Sequence, residues 1–340
     1  MKALVYQRLL LLFFLVAVSS AAVPANRIVI KFGTIAPEGS AWHDAMLELR
    51  QKWLDLSNDQ VELRIYAGGV LGGETEMVRK VQRRGLDGIA ISGSGLPRID
   101  SSIGCLDIPL LFDSYEELDY VRKRISPDIE KRFEKRGFKI LVWAEAGWVY
   151  FFTKRPVRTP NDLRQLRLWT TPGFPEYEKI FKEFKFQVVP LPATDMLTSL
   201  QTGLIEAIDV PPLFALLDRS YQIATYMTDL KWAPLNAAMV LSLQTWSKIP
   251  QDLHPEFLDA VAEVGGRLRQ IIRKAENEVL SEMQARGLTV VKLSDAEIGV
   301  WRSEVRNAYE KFPCQQKFPE LFQKVLRLNK EYRKNNAGLN

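Results

Sequence analysis

Apolar and polar positions along this chain follow a repeating order. Ile28, Ile30 and Phe32 occupy alternate positions, which predicts a strand, and Trp42, Met46, Leu49 and Trp53 follow at helical spacing. Val61, Leu63 and Ile65 alternate again, Ala67 to Gly73 is a Gly-rich turn, and Glu74 to Arg83 reads as a helix. Two denser apolar stretches, Leu86 to Ser92 and Phe138 to Glu145, read as buried strands. Strands alternating with helices predict α/β lobes with largely parallel sheets. The chain has no internal repeat and no low-complexity linker.

Pro255 to Gly287 breaks this rhythm. Leu258, Val261, Leu268, Ile272, Val279 and Met283 keep one apolar stripe with charges between them, Pro255 suits a first helical turn, and Gly287 suits a C-terminal cap. A single helix of this length spans about 48 Å, more than one small lobe, so it is expected to run along both. The competing reading is two helices broken at Gly265-Gly266.

The N-terminus follows a third pattern. Lys2 and Arg8 precede an apolar run from Leu9 to Val18, and Ser20, Ala21 and Ala22 supply small residues, with Ala25 close behind. Basic, apolar and small in that order is a secretory leader, cleaved after Ala22 or Ala25. The run is shorter than the roughly 20 apolar residues of a membrane span, and no Cys lies at the cleavage region to carry a lipid. The remaining chain of about 315 residues suggests two domains. Its net charge, about +3 once the leader is gone, is too weak and too evenly spread for nucleic acid. Cys105 and Cys314 are the only cysteines. Export permits a disulfide between them, but two lone cysteines this far apart read more readily as buried thiols. His43 and His254 are the only histidines, which argues against a transition-metal site.

Several stretches together resemble the solute-binding proteins of TRAP-type (tripartite, ATP-independent) transporters, the DctP family. They are 32–40 (FGTIAPEGS), 66–74 (YAGGVLGGE), 107–112 (DIPLLF), Arg155-Pro156-Val157 with Thr159-Pro160 and Asp162-Leu163, and Leu200-Gln201-Thr202-Gly203 followed by Glu206. The resemblance covers nearly the whole chain after the leader. It implies a two-lobed periplasmic binding fold with crossing hinge strands, one lobe from 26–146 with 236–270 and the other from 147–235 with 271–340, after a leader at 1–25. It also implies a small-molecule ligand held in the cleft, no cofactor, and delivery to a small four-helix and a large multi-span membrane subunit. An accessory periplasmic partner is a further option.

The same resemblance marks departures. Most relatives bind organic acids through a second-lobe Arg that pairs bidentately with the ligand carboxylate. Here Trp169 falls on that Arg and Arg167 on the preceding family Lys, with strand alternation expected to put both on one face. A second family Arg aligns with Val149, a family Asn with Val210, and an aromatic position with Ala193. Three polar or cationic positions have thus become Val, Trp and Val, and a buried anion without its cation is costly. A hydrophobic or amphipathic ligand is therefore expected, with an organic acid held by Arg167 as the alternative. Glu74, Ser92 and Ile35 align with first-lobe lining positions, and Trp42 and Trp232 are candidate aromatic walls. Each has a blander alternative: Glu74 as a helix first-turn acid, the tryptophans as core.

An exported enzyme is the rival from another class, but no G-x-S-x-G and no Cys–His pair in catalytic context is present. A ligand sensor without transport is not separable on sequence. Edman sequencing of secreted protein should begin near Val23 or Asn26. A retained Met1 on a membrane-embedded product would refute the leader.

Overall fold

The computed structural model describes residues 27–336, except Ser94 and 172–174. The expected leader lies outside the described residues. β1 (Ile28–Thr34) runs parallel between β2 (Val61–Tyr66) and β3 (Gly88–Ser92). β9 (Ala233–Ser242) then pairs antiparallel with both β3 and β4 (Phe138–Thr153). Beyond β4 come β7 (Ala207–Val210), β5 (Arg167–Thr170) and β6 (Gln187–Pro190), parallel to one another. Short β8 (Tyr226–Thr228) pairs with β4 and with β10 (Thr289–Val291). The parallel sheets expected from the alternating pattern therefore form the two outer parts, joined by antiparallel β4 and β9.

β4 is the strand that makes two lobes out of one sheet. It pairs with β9 from Phe138 to Val149 and with β7 from Tyr150 to Thr153. The sequence reading ends this strand at Glu145. Two features hide the continuation. Gly147 has φ +106°, a conformation that favours glycine, at a register shift between Glu145 and Trp148. Beyond it both faces are buried, so no alternation marks the strand.

The long helix, α7 (His254–Ala285), is continuous. Gly265 does not break it: a Cβ there would sit 2.8 Å from Val142 Cγ2, so the glycine lets the helix approach β4 closely. The helix touches α1 (Ala41–Leu56) in the first lobe and α6 (Pro212–Leu217) in the second. Other longer helices are α2 (Glu74–Gln82), α3 (Tyr115–Lys135), α4 (Pro175–Glu183), α5 (Met196–Thr202), α8 (Asp295–Asn307) and α9 (Pro319–Asn336).

Two expectations need correction. Cys105 and Cys314 are not buried thiols but a disulfide across 209 residues of sequence. The C-terminal segment also does not wholly follow the second lobe. The short helix Pro313–Lys317, which carries Cys314, packs on the first-lobe turn Ser101–Cys105, and α9 packs on α3. Trp301 and Val305 of α8, by contrast, join the second-lobe core around Phe151, Phe184 and Trp232. The chain thus returns to the first lobe after α8, and the disulfide fastens it there.

At the crossing lies a buried charge cluster. Glu145, 1% exposed, accepts from Arg122 Nη1 at 3.2 Å and from Arg273 Nη2 at 3.0 Å. Arg273 also donates to Asp119 at 2.8 Å. Asn236 of β9 donates to Asp107 at 2.8 Å, which gives the Asp of the 107–112 motif its role. Removing one member of a buried ion cluster leaves the others uncompensated. Glu145→Ala should therefore lower the unfolding free energy by about 3–5 kcal/mol. Urea denaturation measures this, and a loss under about 1 kcal/mol would show that the cluster is not structural.

Candidate functional site

In open α/β sheets ligands bind beyond the carboxyl ends of the strands, where the strand order switches. Here those ends are Thr34, Tyr66 and Ser92 in the first lobe and Thr170, Pro190 and Val210 in the second. The loops beyond them face each other. Ser40 caps α1 by accepting from His43 N, so Trp42 stands in the first turn of a helix aimed at the second lobe. Pro211 and Pro212 open α6 directly after β7 and set Phe214 opposite. The half-buried Trp42 and Phe214 rings meet across the gap at 5.7 Å, tilted by 31°. Trp42 is therefore not core, and Phe214, which sequence reasoning did not single out, faces it. Ile35, 37% exposed, lies on the first-lobe side beside Gly69.

Glu74 is buried and its carboxylate is occupied. It accepts from Ser92 N at 2.9 Å and from Ser92 Oγ at 3.0 Å. Burial pushes its pKa up to about 7, against the Ser92 and Gly95 donors that pull it down. Glu74 and Ser92 are thus brought together as a brace between α2 and the end of β3.

The second-lobe residues divide. Val210 ends β7 opposite Tyr150 and is buried, and Ala193 is exposed in the turn before α5. Trp169 is only 8% exposed, and its Nε1 donates to Leu191 O at 2.9 Å. Its indole belongs to the core, so it offers a ligand little new area. Arg167 does not reach the cleft edge. It begins β5, at the far end from Thr170, and its guanidinium donates to Gly203 O at 2.6 Å and Leu204 O at 3.0 Å and pairs with Glu206 at 3.2 Å. Arg167, the expected substitute cation for an organic acid, is instead engaged by the motif acid Glu206 and two carbonyls. Trp232, 3% exposed, is likewise core, packed against Phe151, Phe184 and Trp301. Val149 is buried in that same core.

A further residue of the matched segment 206–211 is not among the candidate site residues. Asp209, the third residue of β7, has an Oδ1 sealed from solvent with no hydrogen-bond partner. Burial pushes its pKa up to about 8. A lone acid between Ile208 and Val210 in a four-residue strand was the available signal.

Two α/β lobes joined by crossing strands, a helix running along both and a cleft at their facing strand ends define a bilobal binding protein. The family profile of bacterial extracellular solute-binding protein family 7 matches residues 32–315. The chain belongs to this family, the DctP-type solute-binding proteins of TRAP transporters. Among its relatives is the 2,3-diketo-L-gulonate-binding periplasmic protein YiaO of Escherichia coli, 22% identical over 280 residues, covering 82% of this chain and 84% of the relative. A TRAP periplasmic solute-binding protein of Haemophilus influenzae with bound L-gulonate has the same fold, with a TM-score of 0.82 at 21% identity over 89% of this chain and 99% of that one. The sugar-acid-binding protein DctPAm of Advenella mimigardefordensis, in complex with galactonate, also superposes at 0.82, with 18% identity over 90% and 99%.

The raised Glu74 pKa fixes a sign. Between its unfolded value of 4.5 and about 7 the folded state keeps a proton that the unfolded chain has lost, so this group makes stability fall as pH rises. The slope is at most about 1.4 kcal/mol per pH unit. Glu74→Gln should keep the Ser92 contact and remove the loss. Urea midpoints at pH 5 and pH 8 should show the variant gaining on the parent at the higher pH. The opposite trend would mean that the carboxyl is ionised throughout.

Proposed function

We propose that this protein is the extracytoplasmic receptor of a TRAP-type transporter, capturing a hydrophobic or amphipathic solute between its lobes. It delivers that solute to a small four-helix and a large multi-span membrane subunit. No chemistry is performed on the solute. The observation that carries the ligand class is the Trp42–Phe214 pair across the cleft, next to half-exposed Leu213 in the chain. Apolar surface covered there contributes roughly 25 cal/mol per Å². The matched positions 149, 169 and 210 supply no cation or amide for an anionic head.

An organic-acid receptor is the second reading, favoured by the sugar acids bound to the solved relatives. On this chain it lacks the expected substitute, since Arg167 is committed to Glu206 and two carbonyls.

A bound solute should compact the protein in X-ray scattering by hinge closure and raise its melting temperature with concentration. Calorimetry against aliphatic, aromatic and sugar-acid panels should show a negative heat-capacity change for the preferred ligand. Phe214→Ala should weaken that ligand by about tenfold or more. Micromolar binding of a sugar acid or C4-dicarboxylate that survives Phe214→Ala would transfer support to the organic-acid reading.

A further inference from the structure

We propose that the junction of α8, α9 and the 107–112 turn is a second binding site, and that it takes a free tetrahedral oxyanion of the phosphate or sulfate class. The inference is independent of the receptor reading, and the site shares no residue with the Trp42–Phe214 pair. Arg302 and Arg306 of α8, with Tyr309 just beyond its end, stand at i, i+4 and i+7, so they share one helix face. Leu326, Asn329 and Arg333 of α9 share a face in the same way, at i, i+3 and i+7. Together with Leu110 these side chains line a cavity of about 140 Å³. Phe322 of α9 meets the Tyr309 ring edge-on at 5.6 Å, which fixes the tyrosine in place. α8 supplies Trp301 and Val305 to the second-lobe core, and α9 packs on α3 of the first lobe, so the cavity bridges the two.

Three observations point to an anion. First, cations outnumber acids. Asp113 pairs with Arg302 Nη2 at 2.6 Å and with Arg333 Nη2 at 3.0 Å, and Glu117 pairs with Arg333 Nε at 2.5 Å. Two carboxylates thus face three guanidiniums, and Arg306 has no ion-pair partner among the described residues. Like charges four apart on a helix repel, and an anion between Arg302 and Arg306 would offset that repulsion. Second, Arg302 Nε is sealed from solvent and finds no acceptor among the described residues. Buried donors are nearly always satisfied, and this one belongs to a side chain that lines the cavity. Third, the guanidiniums converge on one hydroxyl. Burial raises the Tyr309 pKa, and the charges of Arg306, Arg333 and Arg302 each oppose that rise. A hydroxyl so placed can donate to an oxyanion held by the same forks. The cavity is well under the roughly 300 Å³ at which sites for larger organic ligands begin, so the ligand is small. Planar guanidinium forks reward oxygens in fixed directions, which favours a tetrahedral oxyanion over a halide.

The test titrates phosphate, sulfate and chloride calorimetrically into the exported chain, at matched ionic strength in an amine buffer, and follows thermal unfolding with each. Phosphate or sulfate should bind at least about tenfold more tightly than chloride and raise the melting temperature with concentration. Arg306→Gln removes the exposed, unpaired cation and leaves the Asp113 and Glu117 pairs in place, and it should cut oxyanion affinity at least about tenfold. Tyr309→Phe should weaken the oxyanion about threefold or more. Arg327→Gln makes the same charge change at an exposed α9 residue outside the cavity and should stay within about twofold of the parent. Circular dichroism confirms that each variant folds. Equal affinity for chloride and the oxyanions would mean charge screening alone and overturn the site. Equal losses in Arg306→Gln and Arg327→Gln, oxyanion affinity indifferent to Arg306→Gln, or no oxyanion binding at all would overturn it as well. Each of those outcomes leaves the reading of the solute cleft untouched.

Discussion

The architecture depends on a buried carboxylate at the point where one strand changes lobes. Glu145 sits just before the Gly147 bend of β4 and accepts from Arg122 of a first-lobe helix and Arg273 of the long helix. Desolvating such a cluster costs energy that its internal attraction only partly returns, so its value lies in specificity rather than net stability. An apolar crossing could slide. A carboxylate shared by two guanidiniums fixes where β4, α3 and α7 meet, and so fixes the angle at which the second lobe leaves the first. Asn236 extends the arrangement to β9 and to Asp107, so both crossing strands are held by charge or hydrogen bond at the same level.

Much of this fold is legible in the sequence because it is local. The alternation of β1 and β2, the capped α1 and the single stripe of α7 each follow from spacing within one element. What escapes is non-local. The continuation of β4 past Glu145 depends on a glycine at positive φ and on burial of both faces, which together erase the period-two signal. The sequence leaves the disulfide open because pairing Cys105 with Cys314 requires the C-terminal helices to return to the first lobe. No spacing rule foresees that return.

The candidate site shows the same division more sharply. Alignment to a family pattern identified positions 149, 169 and 210 as changed, but not what the change does to their surroundings. Trp169 reads as a new aromatic wall, yet its indole is filled into the core and capped by Leu191 O. Arg167 reads as a replacement cation, yet the acid of its own motif holds it. Conversely, Val149 draws attention while Asp209, whose Oδ1 is buried without a partner, does not. A substitution is legible at its own position; what surrounds it depends on neighbouring strands and requires the register.

The proposed hinge closure would have to leave the crossing intact, and the groups beside Glu145 permit this. Glu276 of the long helix accepts from Tyr115 OH at 2.7 Å and Tyr150 OH at 3.1 Å, one from a first-lobe helix and one from the second-lobe half of β4. A single carboxylate can hold two hydroxyls while the bodies carrying them rotate, because each donor swings about its own torsion and the acceptor has lone pairs to spare. The guanidinium fork of Arg273 on Glu145 and Asp119 is more restrictive, since its planar geometry fixes direction as well as distance. Rotation is therefore easier between Glu276 and Tyr150 than at Glu145, which puts the bend of β4 at Gly147 and the residues just after it. That is also where the backbone conformation is already one that glycine tolerates, so closure needs no new strain. Under the proposed receptor function a solute shifts the open and closed populations only by its differential contact with the two lobes, so selection would act on groups that face each other from the two lobes, as Trp42 and Phe214 do.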